Sequence, residues 1–228
     1  GGKSLQEVAT NHNTNSVTLA KWFKYYNLPT DKRTYTCNDK FFSQDTAESF
    51  YWAGFIAADG FVKNNQLGIN LAVKDVLHLK KFVDVVKFTG PIQKALWHRK
   101  DEGVCIRITS KQILSDLLKF NIIPRKTLVY VFPEWLKEHH LVSHFLRGYF
   151  DGDGSVWFYL PKSNKTEVLS FEIYGTKNFV STYAEILKKI CNANLAVIKK
   201  KNIWRSGFSG NQMAQKVRSF LYKDSNAA

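Results

Sequence analysis

The sequence predicts an α+β protein built from two pseudo-symmetric αββαββα repeats, preceded by a small helical module. Two observations carry this reading. A short glycine-spaced helix ending in Asp-Gly occurs twice, at residues 52–60 and 146–154. After each copy the chain runs through the same series: an alternating apolar segment, a helical stretch, further strand, and a closing helix. A sheet with one apolar face packs on its own helices and leaves its other face open. Two such repeats are therefore expected to associate about a pseudo-two-fold axis.

The chain opens with Ser4-Leu5-Gln6-Glu7, which reads as a capping box with Ser4 at the N-cap, starting a helix through about Thr10. The polar turn Asn11-His12-Asn13-Thr14-Asn15 leads to Ser16, read as the cap of a second helix. That helix has Val17, Ala20 and Phe23 among its apolar positions and ends before Leu28-Pro29. Two short helices about a tight turn fit a helix-turn-helix with Lys21 and Lys24 toward DNA, and equally a plain hairpin packed on the main domain. Residues 29–44 are polar and basic without sustained periodicity and read as a linker. The expected divisions are a module and linker at 1–44, a first repeat at 45–135 and a second at 136–228.

In the first repeat, the segment 66–74 alternates with Leu67, Ile69, Leu71 and Val73 on one face, and a helix follows at 76–86. A later strand ends in residues 104–108 and a helix closes the repeat at 113–120. The second repeat matches it with strand 169–174, helix 178–190, strand 204–208 and helix 213–222. Ser110-Lys111-Gln112 and Gly210-Asn211-Gln212 follow their strands at the same position in each copy.

With 44% hydrophobic and 14% aromatic residues, the chain can bury a substantial core. Lys and Arg number 33 against 19 Asp and Glu, a net charge of +14 and a pI near 9.6, as expected of a protein that neutralises phosphates. Charge alone does not separate nucleic acid from a membrane surface. No apolar run approaches the roughly 20 residues that cross a bilayer, and Gly1-Gly2-Lys3 does not read as a signal peptide. Cys37, Cys105 and Cys191 form neither a disulfide framework nor a zinc knuckle, which points to a reducing, intracellular setting. His140 and His144 are four apart but lack a third ligand, so surface histidines are the expected reading.

Gly54 and Ala58, like Gly148 and Gly152, are small residues four apart on one helical face. They permit close approach of two helix backbones, with the helix ends side by side. Once, such a segment is an ordinary helix end before glycine. Twice, in matching repeats, it is a signal. The nonapeptides Trp52-Ala53-Gly54-Phe55-Ile56-Ala57-Ala58-Asp59-Gly60 and Leu146-Arg147-Gly148-Tyr149-Phe150-Asp151-Gly152-Asp153-Gly154 resemble the paired signature motifs of LAGLIDADG homing endonucleases. The likeness covers residues 50–222.

The resemblance implies paired LAGLIDADG helices beneath saddle-like DNA-binding sheets. It implies a monomeric, free-standing or intron-encoded enzyme that makes a sequence-specific double-strand break. Asp59 and Asp153 would be catalytic and metal-binding, one per strand, joined by backbone carbonyls of Ala58 and Gly152. Close carboxylates repel each other, and a hard divalent cation relieves this: Mg²⁺ or Mn²⁺, with Ca²⁺ able to bind without supporting cleavage. Ile123-Pro124-Arg125-Lys126-Thr127 is similar to a segment supplying a catalytic lysine, so Lys126 is either that group or a phosphate-contacting lysine. Its mate in the second repeat falls beyond Ala228. Two departures stand out. Ala57 occupies the position of Asp151, and near the active centre the second repeat offers a polar Glu172 where the first has Ala72.

The open faces would read DNA through Gln66, Asn70, Lys74 and Arg107 in the first repeat. In the second, Ser170, Glu172, Tyr174, Arg205 and the run Lys199-Lys200-Lys201 take that part. Duplex DNA is the expected partner. The resemblance keeps two alternatives, an intron RNA maturase and a non-cleaving DNA-binding regulator, and retention of both aspartates argues against the latter. The sequence carries no Walker-type glycine loop and no His-Asn-His arrangement.

Overall fold

A computed structural model describes residues 5–28, 35–97, 101–161 and 166–223. Helices α1 (Leu5–Asn11) and α2 (Ser16–Tyr25) form the N-terminal hairpin. Asn15, rather than Ser16, caps α2: its side chain accepts a hydrogen bond from Thr18 N at 2.8 Å. Ser4 and its capping box lie outside the described residues. The inner face of α2 runs through buried Leu19 and half-buried Phe23, while Val17 and Ala20 point outward. Apolar spacing in so short a helix fits two phases, and the alternative phase to the expected one is used.

Residues 35–44 are not simply a linker. Residues Phe41–Ser43 form a 3₁₀ turn that buries both phenylalanines, with Phe42 meeting Phe82. Asn38 N donates to Val86 O, and Ser110 Oγ donates to Asp39. Two adjacent phenylalanines among polar neighbours carry no periodicity, so the pattern concealed them.

Helix α3 (Ala47–Ala58) starts at a capping box of Thr46 and Ser49, with both bonds at 3.1 Å. Strands β1 (Gly60–Lys63) and β2 (Gln66–Ala72), helix α4 (Val76–Val85), strands β3 (Gln93–Trp97) and β4 (Asp101–Ile108), and helix α5 (Lys111–Leu118) complete the first repeat. The antiparallel sheet has the order β1-β2-β4-β3. Its core face presents Leu67, Ile69, Leu71, Ile106 and Ile108, all buried. Val73 and Lys74, expected on β2, instead sit in a 3₁₀ turn, and Val73 is exposed. Pairing stops at Ala72, opposite Gly103, one residue before the alternation in the sequence does.

Residues 119–141 cross to the second repeat. Phe120 stacks on Phe145, and Phe132 N donates to Asn178 Oδ1 at 2.9 Å. Helix α6 (Val142–Asp153), strands β5 (Gly154–Tyr159) and β6 (Val168–Gly175), helix α7 (Lys177–Cys191), strands β7 (Ala196–Lys200) and β8 (Ile203–Ser209), and helix α8 (Asn211–Tyr222) repeat the arrangement, with sheet order β5-β6-β8-β7. Ile173 lies between Gly154 and Ser206 as Ile69 lies between Gly60 and Ile106. That register makes Gly68, not Ala72, the counterpart of Glu172.

The repeats meet through α3 and α6. A Cβ on Gly54 would stand 2.0 Å from Phe145 O, and one on Gly148 would stand 1.9 Å from Tyr51 O. Only a hydrogen fits at either place, so the two backbones touch reciprocally. One turn later a Cβ on Gly152 would come within 2.5 Å of Ala58 Cβ. The two sets of small residues therefore do what their spacing predicted. Among the described residues no helix is long and apolar enough to cross a membrane.

Candidate active site

The glycine contacts deliver the ends of α3 and α6 to one place. Asp59 is the C-cap of α3 and Asp153 is the last residue of α6. Burial, then the charge of Asp153, raises the Asp59 carboxyl to about 6, against the pull of Lys126. Asp75 raises it further, a neighbour to which no motif or spacing pointed. Asp153 is likewise raised, chiefly by burial, while Lys126 and the Tyr149 hydroxyl hold it down. That hydroxyl donates to Tyr174 O at 2.9 Å as it lies beside Asp153.

Lys126 completes the group. Arg125 adopts a left-handed turn (φ 59°) that leads into the 3₁₀ segment Lys126–Leu128 and turns the lysine inward. Lys126 is 4% exposed, and its Nζ donates to Ala58 O at 3.2 Å. Burial lowers its pKa to about 8 although Asp153 and Asp59 both pull it up. The structure thus brings Asp59, Asp153, Lys126, Ala58 and Gly152 together.

Among the described residues no three His, Cys, Asp or Glu side chains gather as a metal cluster, and this includes the histidine pair at 140 and 144. A cation at the helix ends would rest on two carboxylates and backbone carbonyl oxygens. That donor set fits a hard divalent ion: two partly buried acids, each difficult to ionise alone, act on one lysine whose ammonium already rests on the Ala58 carbonyl.

The extra acid of the second motif has other work. Asp151 accepts hydrogen bonds from Tyr51 Oη at 2.8 Å and from Tyr222 Oη, tying α6 to α3 and α8. The Arg147 guanidinium lies over both rings. The counterpart of Asp151 in the first repeat, Ala57, is buried.

In the first sheet, Gln66, Asn70 and Arg107 share the face opposite the core. The Phe61 ring lies against Gly68, where a Cβ would come within 2.4 Å of it. The Arg107 guanidinium sits 4.7 Å above that ring and donates to Asn70 Oδ1 at 2.9 Å. Gln66 donates to Thr109 Oγ1 at 3.0 Å. Lys74 has left the strand and is not on this face.

In the second sheet the expected readers are largely satisfied by one another. Arg205 donates to Glu172, Tyr174 Oη donates to Glu172 Oε2 at 2.6 Å, and Ser170 and Ser209 share a hydrogen bond. Ser170 and Glu172 are buried, so neither offers the free side chain that alternation alone predicts. Glu172 is engaged with Arg205 and is not among the groups acting on the two aspartates. Lys199 pairs with Trp204 on the helix side, whereas Lys200, two positions along the β7 face from Ile198 and Arg205, is on the reading face. Lys201 stands exposed in the β7–β8 turn. Trp157 and Tyr159, opposite Ser170 and Val168, share the reading face and are exposed. Sequence reasoning missed them because β5 is apolar at every position from Val156 on.

The comparisons agree with this architecture. No protein-family model matches the sequence, and no curated protein matches it either. Among solved structures, the homing endonuclease I-WcaI bound to its DNA recognition sequence superposes with a TM-score of 0.58 at 16% identity, covering 81% of this chain and 86% of that one. The LAGLIDADG homing endonuclease I-LtrWI bound to target DNA gives 0.56 at 13% identity, covering 83% and 85%. The LAGLIDADG homing endonuclease I-GzeII in complex with a DNA target gives 0.54 at 14%, covering 78% and 84%. The chain has the fold of the LAGLIDADG homing endonucleases.

Proposed function

We propose that this chain is a LAGLIDADG homing endonuclease: a monomeric, divalent-metal-dependent enzyme that cuts both strands of a long, specific DNA site. The observation that carries the proposal is the reciprocal glycine contact, which places one carboxylate from each repeat beside a buried lysine. The superposed endonucleases are bound to DNA, and the charge of +14 suits the same partner.

Asp59 and Asp153, with the carbonyl oxygens of Ala58 and Gly152, would hold Mg²⁺ or Mn²⁺. A bound ion would supply Lewis acidity toward a phosphate oxygen and a water more acidic than bulk water. The chain's own groups set the conditions for it. Two carboxyls that resist ionisation alone favour a cation between them. The Lys126 ammonium, with a pKa of about 8, holds positive charge beside the scissile phosphate and can exchange a proton at Nζ near neutral pH. Tyr149, whose hydroxyl donates to Tyr174 O, packs beside Asp153. Arg107, fixed by Phe61 and Asn70, reads a base edge with little loss of side-chain freedom, and guanine O6 and N7 are its geometric match.

The test is cleavage of a randomised duplex library in Mg²⁺ by the wild type, Asp59→Asn and Asp153→Asn. The wild type is expected to select one long site and cut it, and both variants to bind that site uncut. Selection of a duplex that is never cut, in Mg²⁺ or Mn²⁺, would replace the proposal with a DNA-binding regulator. Preference for structured RNA would replace it with a maturase.

A further inference from the structure

The outward face of α2 has no use within the fold. Leu19 and Phe23 form its inner side, so Val17, Ala20, Lys21 and Lys24 lie together on the opposite side, all exposed, with Val17 at 65%. A hairpin that packed on the main domain through this face would bury the valine and alanine. The turn is short and specified: Asn13 takes the left-handed conformation (φ 49°), Thr14 N donates to Ala9 O at 2.9 Å, and Asn15 caps the second helix. Residues 8–28 contain no aspartate or glutamate. A helix with two small apolar side chains flanked by lysines, and no acid, complements a major groove: lysines meet phosphates or guanine, and Val17 and Ala20 meet thymine methyls.

We infer that α2 is a second DNA-reading element that enters the major groove beside the stretch covered by the first sheet. The inference rests on the proposed function for its central site. The chain rejoins the body at Tyr35, whose ring meets Phe88, and at Thr36, which bonds Thr89. Residues 27–34 can span at most roughly 30 Å, which is about nine base pairs of B-form DNA.

The test compares hydroxyl-radical footprints of the full chain on its selected site, in metal-free buffer, for the wild type, the double variant Lys21→Gln/Lys24→Gln, and Arg107→Ala. The double variant is expected to keep the central protection and lose a flanking patch on one side only. Its salt slope, log K against log salt, should fall by about 2. Arg107→Ala should weaken central protection and keep the flank. An unchanged footprint and salt slope in the double variant overturns the inference and leaves the proposed function standing. A wild type that protects no specific tract overturns both. Loss of central and flanking protection together in the double variant also overturns the inference, since the lysines would then serve the saddle itself.

Discussion

Asp59→Asn should make the protein more stable at neutral pH while abolishing cleavage. A carboxyl raised from its ordinary 3.8 to about 6 costs about 3 kcal/mol to ionise within the fold at pH 7.5. Asparagine removes that cost. That figure is already net of the Lys126 attraction, which is one of the influences on the Asp59 carboxyl. The gain is about 3 kcal/mol, or about 6–12 °C in Tm for a chain of this length. The sign follows from proton binding. Between 3.8 and about 6 the folded state holds more protons than the unfolded state, so stability falls as pH rises through that window, and the Asp59 cost is complete above it. At pH 4.5 roughly a third of the cost has developed, and the advantage of the variant should shrink accordingly. Thermal unfolding with chelator at pH 4.5 and pH 7.5 measures this. A variant no more stable than wild type at pH 7.5, or an advantage equal at both values, would refute the account of the paired carboxyls.

Gly148→Ala should cost about 3 kcal/mol or more, because the new Cβ meets backbone rather than a movable side chain, and Gly54→Ala should match it; urea titration compares the two. Mg²⁺ should raise the wild-type Tm at pH 7.5 but require much higher concentration at pH 5, where Asp59 is protonated, and should not raise that of Asp59→Asn. Lys126→Met should lower the cleavage rate about a hundredfold or more with site affinity nearly unchanged, read by single-turnover kinetics. Asp151→Ala should cost about 1–2 kcal/mol through the two stranded tyrosine hydroxyls, seen in denaturant unfolding, with both aspartates still competent for cleavage.

The parts of the fold written as periodicity and repetition were legible in the sequence. Spacing alone located the small residues at 54, 58, 148 and 152, and their contacts match that reading. The strands with core-facing Leu67, Ile69 and Leu71 were equally plain. Features that depend on where pairing stops were not. Lys74 left its strand because the ladder ends at Ala72, and Lys199 fell on the helix side because the β7 register sets its parity. Nor could alternation show that Glu172, Tyr174 and Arg205 satisfy one another, since that network joins two strands distant in the chain. Phe41 and Phe42 were hidden by a polar context and Asp75 by its distance along the chain from Asp59. At Lys126 the segment named the residue, and only the fold turned it inward onto Ala58 O.

The central claim is that one carboxylate from each repeat serves a cut in both DNA strands. The most direct test labels each strand of the selected duplex separately and follows cleavage in Mg²⁺ by wild type, Asp59→Asn and Asp153→Asn. The wild type should cut each strand once, with both variants bound and inactive. Full wild-type cleavage by either variant, or cutting by the wild type that is undiminished in chelator, would contradict it.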